Sequence, residues 1–188
     1  MSNLSKGRAV SAKDQVAGVR KVYFVNYGDP VVAYDGTNTD EIDDLGSITA
    51  YEYDLKTGNG SYTEAVQQTP ENGTTFFEQT LEVSFPKLTK EDHKELKIMA
   101  YGRPHIIVLD HNDNLQLMGL LQGCDTTGGG LETGQAKGDF SGYRYTFTAK
   151  EKIPANFLKA TAGTSASAYH RDLHSFPTRR SSDLVTAS

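Results

Sequence analysis

Two segments of the chain alternate between apolar and polar residues, and this alternation constrains the fold more than any other feature. The first segment carries on one parity Phe77, Gln79, Leu81, Val83 and Phe85. Gln79 is the one polar break there, and the opposite parity is polar. Successive side chains of a strand point to opposite faces. The pattern therefore predicts a strand with one face on a core and the other in water or against a partner.

The second alternating segment lies at 141–149. Its core-facing parity holds Tyr143, Tyr145, Phe147 and Ala149. Shorter segments at 21–27 and 48–55 are rich in the aromatic and β-branched residues that favour strands. The segments 105–109 and 115–121 predict a hairpin around the turn at 111–114.

One segment predicts a helix, at about 89–101. Thr89 suits an N-cap, and Glu91 and Asp92 follow it in the first turn, where the helix dipole favours acids. Leu88 precedes the cap, at the position where an apolar side chain packs against the first turn of a helix. The expected apolar stripe and the stop signals after it are Leu96, Met99, Ala100, Gly102 and Pro104.

Together these patterns predict a mainly β fold. We expect an antiparallel β-sandwich or a partly closed barrel with one short flanking α-helix. We expect a single β-rich domain at 19–158, a flexible N-terminal arm at 1–18 and a disordered tail at 159–188. Within that tail, residues 170–184 resemble one translated frame of a sequencing-library adapter, which indicates a non-native, metagenomic origin for them. The alternative interpretation is a basic arm for nucleic acid.

Composition narrows the functional classes. The net charge is −5 at pH 7, and a mildly acidic chain disfavours a nucleic-acid-binding face. The single cysteine, Cys124, excludes an intramolecular disulfide and a zinc site built on several cysteines. No apolar run is long enough to cross a bilayer, and residues 1–10 lack the apolar centre of a signal peptide. We therefore expect synthesis in a cytoplasm and no membrane partner.

Three motifs bear on chemistry. Residues 110–114 read Asp-His-Asn-Asp-Asn, like the start of a calcium loop, but they lack the glycine and the bidentate glutamate of that motif. Residues 129–135 lack the lysine of a phosphate loop. Cys124, His111 and Asp110 are the residue types of a nucleophilic set, although nothing in the sequence joins them. We predict no enzyme activity, no cofactor and no metal.

Three polar stretches predict exposed loops. Residues 35–44 carry five carboxylates, which cannot all be buried unpaired. Residues 56–73 are rich in glycine, asparagine, threonine and glutamine, and residues 123–140 are polar and rich in glycine. Loops of that length are uncommon unless they function, and contact with another protein is the simplest such function.

The order of these segments resembles the tail-tube proteins of long-tailed phages. The resemblance rests on the polar arm, the aromatic strand within GVRKVYFVNYGD at 18–29, the single helix after a strand ending in proline, and the closing GDFSGYRYTFTAKE at 138–151. It implies hexameric rings that stack into a tail tube. The implied partners are copies of the chain itself and other virion tail proteins, with DNA only as passing cargo. The implied location is the virion, assembled in the cytoplasm of a bacterial host.

The resemblance also implies roles for particular residues. A long loop would reach the neighbouring ring, with contacts from Lys56, Asn59, Tyr62 and Gln67. Glu78 and Glu82, on the polar parity of the first alternating segment, would face the lumen. Solvent exposure without a lumen is the competing interpretation of both glutamates.

Other functional hypotheses remain open. Within virion proteins the alternative is a neck, tail-completion or head-decoration protein. A second class is a carbohydrate-binding β-domain that uses Tyr27, Tyr34 and Tyr62. The third class is an enzyme built on the glycine-rich segment at 123–138.

Overall fold

The protein is a β-sandwich with one short helix. The computed structural model describes residues 7–8, 10, 13–37, 40–46, 48–87 and 89–159. Within them the elements are, in chain order, β1 Val19–Val25, β2 Ala33–Tyr34, β3 Glu41–Asp44, β4 Ala50–Asp54, β5 Gly60–Thr69, β6 Thr74–Pro86, α1 Lys90–Tyr101, β7 His105–Asp110, β8 Leu115–Met118, β9 Asp125–Glu132, β10 Gly142–Glu151 and β11 Asn156–Leu158.

The strands form two separate sheets. Sheet A has the order β2-β3-β11-β8-β7-β1-β4, and sheet B has the order β5-β6-β10-β9. All pairs are antiparallel except β3 with β11. The sheets do not close on each other, so the sandwich prediction is confirmed and the partly closed barrel is not formed.

The main core lies between the sheets. The first alternating segment forms β6 and the second forms β10. The apolar side chains of both strands pack against β1 and β7 in this core. Phe24 of β1 packs against Phe147 of β10 with ring centroids 5.3 Å apart. The largest buried members of this core include Val22, Phe24, Leu81, Val83, Ile106, Met118 and Phe147.

A second apolar cluster covers the other face of sheet A. Ile42 and Leu45 are fully buried there against Ile107, Leu109 and Leu117. The central strand β7 is thus buried on both faces. This explains why its sequence is a continuous apolar run and not an alternation.

Strand β5 crosses sheet A instead of running along it. At its start, a Cβ added to Gly60 would lie 3.1 Å from the Cβ of Val19 in β1. Four residues later, the backbone amide of Ala155 before β11 donates to the Glu64 carboxylate at 2.8 Å. Beyond Glu64 the β5–β6 hairpin continues past the core. Its residues 65–75 are exposed, and we call them the hairpin arm.

The helix forms as predicted. The Thr89 hydroxyl accepts from the amide of Asp92 at 3.1 Å, and Gly102 caps the other end. Leu96 is buried and Met99 packs on the core, but Ala100 is exposed, so its place in the apolar stripe was wrong. Leu88 lies outside the described residues. No helix among the described residues is long and apolar enough to cross a membrane.

The three predicted loops were partly wrong. Strand β5 occupies most of 56–73, and β9 occupies half of the glycine-rich segment. Strand β3 falls within 35–44 and carries the fully buried Ile42. In each case pairing with a neighbouring strand satisfies the backbone. This tertiary gain overrides the weak strand propensity of glycine in β9 and of the acidic residues in β3.

Both ends of the domain are anchored. At the N-terminal side, the Asn112 side chain bonds both the amide and the carbonyl of Val16, at 2.9 and 2.8 Å. At the other end, the Lys159 amide donates to Ile42 O at 2.8 Å, and its Nζ lies 2.6 Å from an oxygen of Asp35. Residues 160–188, including the adapter-like 170–184, lie outside the described residues, as does most of 1–12.

A pair of substitutions on the β5–β6 hairpin separates its core part from its arm. Leu81→Ala leaves a cavity in the main core, so we expect it to lower the free energy of unfolding by about 2–5 kcal/mol. Val66→Ala, on the exposed arm, should cost less than about 0.5 kcal/mol. Urea denaturation of dilute protein measures both. Equal losses would place the arm within the core.

Candidate assembly surfaces

Sheet B presents two free edges. In the described part of the chain, β5 pairs only with β6, and β9 pairs only with β10. Natural sheets usually blunt such edges with lysine, proline or a short strand. Strands β5 and β9 have ten and eight residues and contain no lysine, arginine or proline. Both have free backbone groups for pairing with another chain. Strand β9 is the more protected of the two, because a β-bulge between Thr126 and Gly128 interrupts its pairing and the Thr126 hydroxyl donates to Met99 O of α1.

The edges of sheet A differ. Strand β2 at one edge has only two residues. Strand β4 at the other edge has five, and its Glu52 and Asp54 both pair with Lys21. Short, charged edges are the usual protection against pairing. The capacity for edge-to-edge association is thus concentrated in sheet B.

The outer face of sheet B is polar and built mostly from short side chains. Its alcohols are, by strand parity, Ser61, Thr63, Thr80, Ser84, Thr146 and Thr148. Its charged residues are Glu78, Glu82, Asp125, Glu132, Arg144 and Lys150. Four carboxylates against two cations leave two net negative charges on these strands, and Arg103, before β7, lies 2.8 Å from one of the carboxylates, that of Asp125.

Glu78 and Glu82, the predicted lumen residues, both lie on this outer face. Glu82 is exposed. Glu78 is half-buried, because Gln67 donates to one of its oxygens at 3.3 Å and Lys150 Nζ lies 3.5 Å from the other. Most of the negative charge of Glu78 is therefore already balanced within the subunit.

The four predicted contact residues do not share a loop. Lys56 and Asn59 form the turn before β5, where the Asn59 amide donates to Lys56 O at 2.9 Å. Tyr62 and Gln67 lie within β5 itself. Eight residues of strand separate Asn59 from Gln67 by about 26 Å. Only Gln67 belongs to the hairpin arm.

Tyr62 is turned toward the interior. It packs against the main core. Burial is the main cause that raises the pKa of its hydroxyl, and the nearby Glu64 carboxylate raises it further. The two other tyrosines of the carbohydrate hypothesis, Tyr27 and Tyr34, lie after β1 and in β2. Tyr27 stacks on His105 with centroids 5.3 Å apart. The three tyrosines thus belong to three different elements.

Apolar side chains lie on both faces of the hairpin where the arm begins. Val66, 62% exposed, stands directly opposite the half-buried Phe77, on the face that continues from the core. On the other face Phe76 lies under Lys150, whose Nζ is 5.8 Å from the ring centroid. The arm closes in a turn that Gly73 enters at φ 62°, where glycine is favoured.

Buried polar contacts join the sheets next to β9. Gln79, the polar break in β6, accepts from the amide of Gly119 at 3.0 Å. Glu151 at the end of β10 accepts from the amides of Leu121 and Gln122, both at 2.9 Å. These two side chains fix the turn that leads into β9. Gln79 was visible in the sequence as a break in the alternation, whereas no pattern marked Glu151.

The residues of the nucleophile hypothesis are not brought together. Cys124 is fully buried, with its thiol 3.6 Å from Met118 O. Burial, reinforced by the nearby Glu151, raises the pKa of this thiol and so disfavours the reactive thiolate. Its amide bonds Pro104 O, before β7, whereas Asp110 and His111 lie at the far end of β7, about 16 Å away.

The calcium-like segment is a hairpin turn that its own side chains satisfy. The Asp110 carboxylate accepts from the amides of Asn112 and Asn114, both at 2.8 Å, and from both of their side chains. Burial alone would raise the pKa of Asp110, but these hydrogen bonds outweigh it and lower the pKa. No group of three or more His, Cys, Asp or Glu side chains that could hold a metal occurs in the described ranges.

The phosphate-loop-like segment is also structural. Gly129 and Gly130 lie in β9, and the carboxylate of Asp139 accepts from the amides of Gln135 and Ala136 in the turn that follows. Those backbone amides are the groups that a phosphate loop would offer to its ligand.

The chain matches no protein-family model, no curated protein and no solved structure.

The Asp110 turn makes stability depend on pH. A carboxylate whose folded pKa lies below its ordinary value of 3.8 stabilises the fold above that value, and the stabilisation is lost as pH falls through the folded pKa. We expect Asp110→Asn to lower Tm at about pH 6 and to converge with the unchanged chain toward about pH 2. Asp29→Asn, in an exposed turn, is the control. A gap that persists at low pH would exclude the ionised carboxylate as its source.

Proposed function

We propose that the chain is a self-assembling virion structural subunit whose rings stack into a phage tail tube for DNA passage. The observation that carries the proposal is the pair of long, unpaired edges of sheet B, of which β5 is the less protected. A soluble protein that kept these edges open would risk aggregation. Pairing them with sister copies removes the risk and produces an ordered assembly.

The directions of the edge strands suit a ring. Because all neighbours in sheet B are antiparallel, β5 at one edge and β9 at the other run in opposite directions. A copy rotated about an axis along the strands therefore brings its β9 antiparallel to β5 of the first copy. Head-to-tail contacts of this kind close into rings when the rotation divides the circle. The resulting sheet would continue from copy to copy without an edge.

The outer face of sheet B suits the wall of a channel. Its serine, threonine and glycine side chains are short, so they leave the bore open. Its charges nearly cancel, because Arg144 lies 3.2 Å from Glu132, Arg103 lies 2.8 Å from Asp125 and Lys150 lies beside Glu78. Such a wall offers DNA phosphates no basic track to bind, so the DNA can slide. In this arrangement Glu82 supplies the remaining negative charge.

The hairpin arm suits contact between rings. It projects beyond the core and exposes Val66 on the face that continues from the interior. A neighbouring ring that covered this face would bury the Val66–Phe77 pair. Neck, tail-completion and head-decoration proteins are the alternative within the same class. Such proteins would associate through the lateral edges but would not stack into long tubes. Electron microscopy distinguishes single rings from tubes.

Cysteine cross-linking tests the lateral contact. We expect one pairing of Gly130→Cys on β9 with Ser61→Cys, Thr63→Cys or Ala65→Cys on β5 to give a ladder of disulfide-linked oligomers that ends at a closed ring. A disulfide within one copy is excluded, because β6 and β10 hold the edges about 14 Å apart. The native Cys124 is buried and does not interfere. Non-reducing electrophoresis measures the ladder.

The matched control pairs Gly130→Cys with Ala100→Cys, an exposed helix position. It should give no ladder. If every β5 pairing remains monomeric at high protein concentration, and sedimentation also shows only monomers, the lateral edges are not the assembly surface and the proposal fails.

Stacking has a separate test on the hairpin arm. Val66→Lys places a charge on the face that a neighbouring ring would cover, so we expect rings to form while tube length falls severalfold. Glu71→Lys, at the tip of the arm, is the charge control. Negative-stain electron microscopy counts rings and tubes. Tubes of unchanged length in the Val66→Lys protein would exclude this face from the stacking contact.

A further inference from the structure

Two asparagines of the chain precede a glycine, and the fold places these two dipeptides in different surroundings. Asn59-Gly60 leads into β5, and Asn72-Gly73 lies at the tip of the hairpin arm. An asparagine can lose its side-chain amide without an enzyme when the backbone nitrogen of the next residue attacks its side-chain carbonyl carbon. Glycine permits this attack best, because it has no Cβ to crowd its nitrogen and its backbone turns most freely.

The tip of the arm leaves the Asn72-Gly73 pair free to react. Both residues are exposed, and a Cβ added to Gly73 would meet no atom within 4 Å. The Asn72 amide donates to Thr69 O at 3.2 Å and the Gly73 amide donates to Pro70 O at 3.3 Å, so these bonds are long and stay within the turn. The Asn72 carbonyl accepts from no described residue. Among the described residues, only the turn itself therefore restrains this peptide unit.

The same dipeptide before β5 is held by the body of the fold. The Asn59 carbonyl accepts from the Ser84 amide of β6 at 2.8 Å. A Cβ added to Gly60 would lie 2.6 Å from Leu55 Cδ1 and 3.1 Å from the Cβ of Val19, so both side chains pack against this glycine. The attack requires the planar peptide unit to rotate about the asparagine Cα–C bond. That rotation would break the hydrogen bond to Ser84 at a place where Gly60 has no room to move.

We propose that Asn72 is a site of spontaneous deamidation and that the fold protects Asn59 from the same reaction. In the first step the Gly73 nitrogen gives its proton to hydroxide and bonds to Cγ of Asn72, and the bond from Cγ to Nδ2 breaks. The side-chain nitrogen takes a proton from water and leaves as ammonia, and a five-membered succinimide ring remains. Water then opens the ring at one of its two carbonyl carbons, which gives aspartate or isoaspartate. Nothing is oxidised or reduced.

Either product changes the tip of the hairpin arm. One negative charge appears next to Glu71, which carries another. Isoaspartate also routes the main chain through its side-chain carbon, so it adds one methylene to the backbone of the turn. The site follows from the turn alone, so it stands whether or not the chain forms rings.

Peptide mapping of the full 188-residue chain during incubation in mildly alkaline buffer tests the proposal. Mass spectrometry distinguishes acid from amide at each asparagine, and chromatography separates the isoaspartyl peptide. In the folded chain we expect Asn72 to deamidate at least about tenfold faster than Asn59, because a misplaced nucleophile loses that much rate or more. In concentrated urea the two rates should converge, because both dipeptides then have the same freedom.

Asn72→Gln and Asn59→Gln are the matched variants. Glutamine keeps the amide, but its longer side chain would have to close a six-membered ring, which forms much more slowly. Ammonia release from the folded chain should fall severalfold in the Asn72→Gln protein and stay unchanged in the Asn59→Gln protein. Asn72 is exposed, so we expect its variant to fold normally.

Three results would overturn the proposal. The first is an equal rate at Asn72 and Asn59 in the folded chain. The second is a difference between them that persists in urea, since the fold would then not be its cause. The third is ammonia release that Asn72→Gln leaves unchanged.

Discussion

The pairing of β6 with β10 is the constraint from which the rest of the structure follows. The two strands pair along the whole of β10, from Gly142 opposite Pro86 to Glu151 opposite Phe77. Their apolar parities form one wall of the main core, and their polar parities form the outer face of sheet B. Because these strands occupy the centre of the sheet, β5 and β9 are necessarily its edges. The chemistry of those edges, and so the capacity for assembly, depends on this central pair.

The sequence predicted the elements that bury one face and expose the other. It missed the strands that form only because a neighbouring strand pairs with them. The alternation around Leu81 and Phe147 and the cap at Thr89 were sufficient for β6, β10 and α1, because each pattern reflects local geometry. Strands β5 and β9 were expected as loops, since their segments are polar and rich in glycine, which has a weak intrinsic strand preference. Pairing with β6 and β10 overrides that preference. The Glu151 carboxylate accepts from the amide of Leu121, thirty positions earlier in the chain, and no local sequence pattern can reveal such a contact.

The open edges of sheet B carry a cost that explains other features of the fold. An open strand of ten residues without lysine or proline invites uncontrolled pairing. Sheet A avoids that risk, because its two edge strands are short or charged. Gln79 in β6 and Glu151 in β10 bind the turn between β8 and β9. The register and position of the β9 edge are therefore fixed before any second copy arrives. An edge held in this way loses less conformational entropy on pairing, which favours specific association over aggregation.

The inner side of β5 and its free edge serve different contacts. A lateral neighbour would approach β5 through its backbone, in the plane of sheet B. On the inner side, the Glu64 carboxylate accepts from the Ala155 amide before β11 at 2.8 Å, and Tyr62 packs against the main core. Side chains thus brace β5 against sheet A and leave the backbone groups of its edge unused. The same strand can therefore be part of the core of one subunit and still present an edge to another.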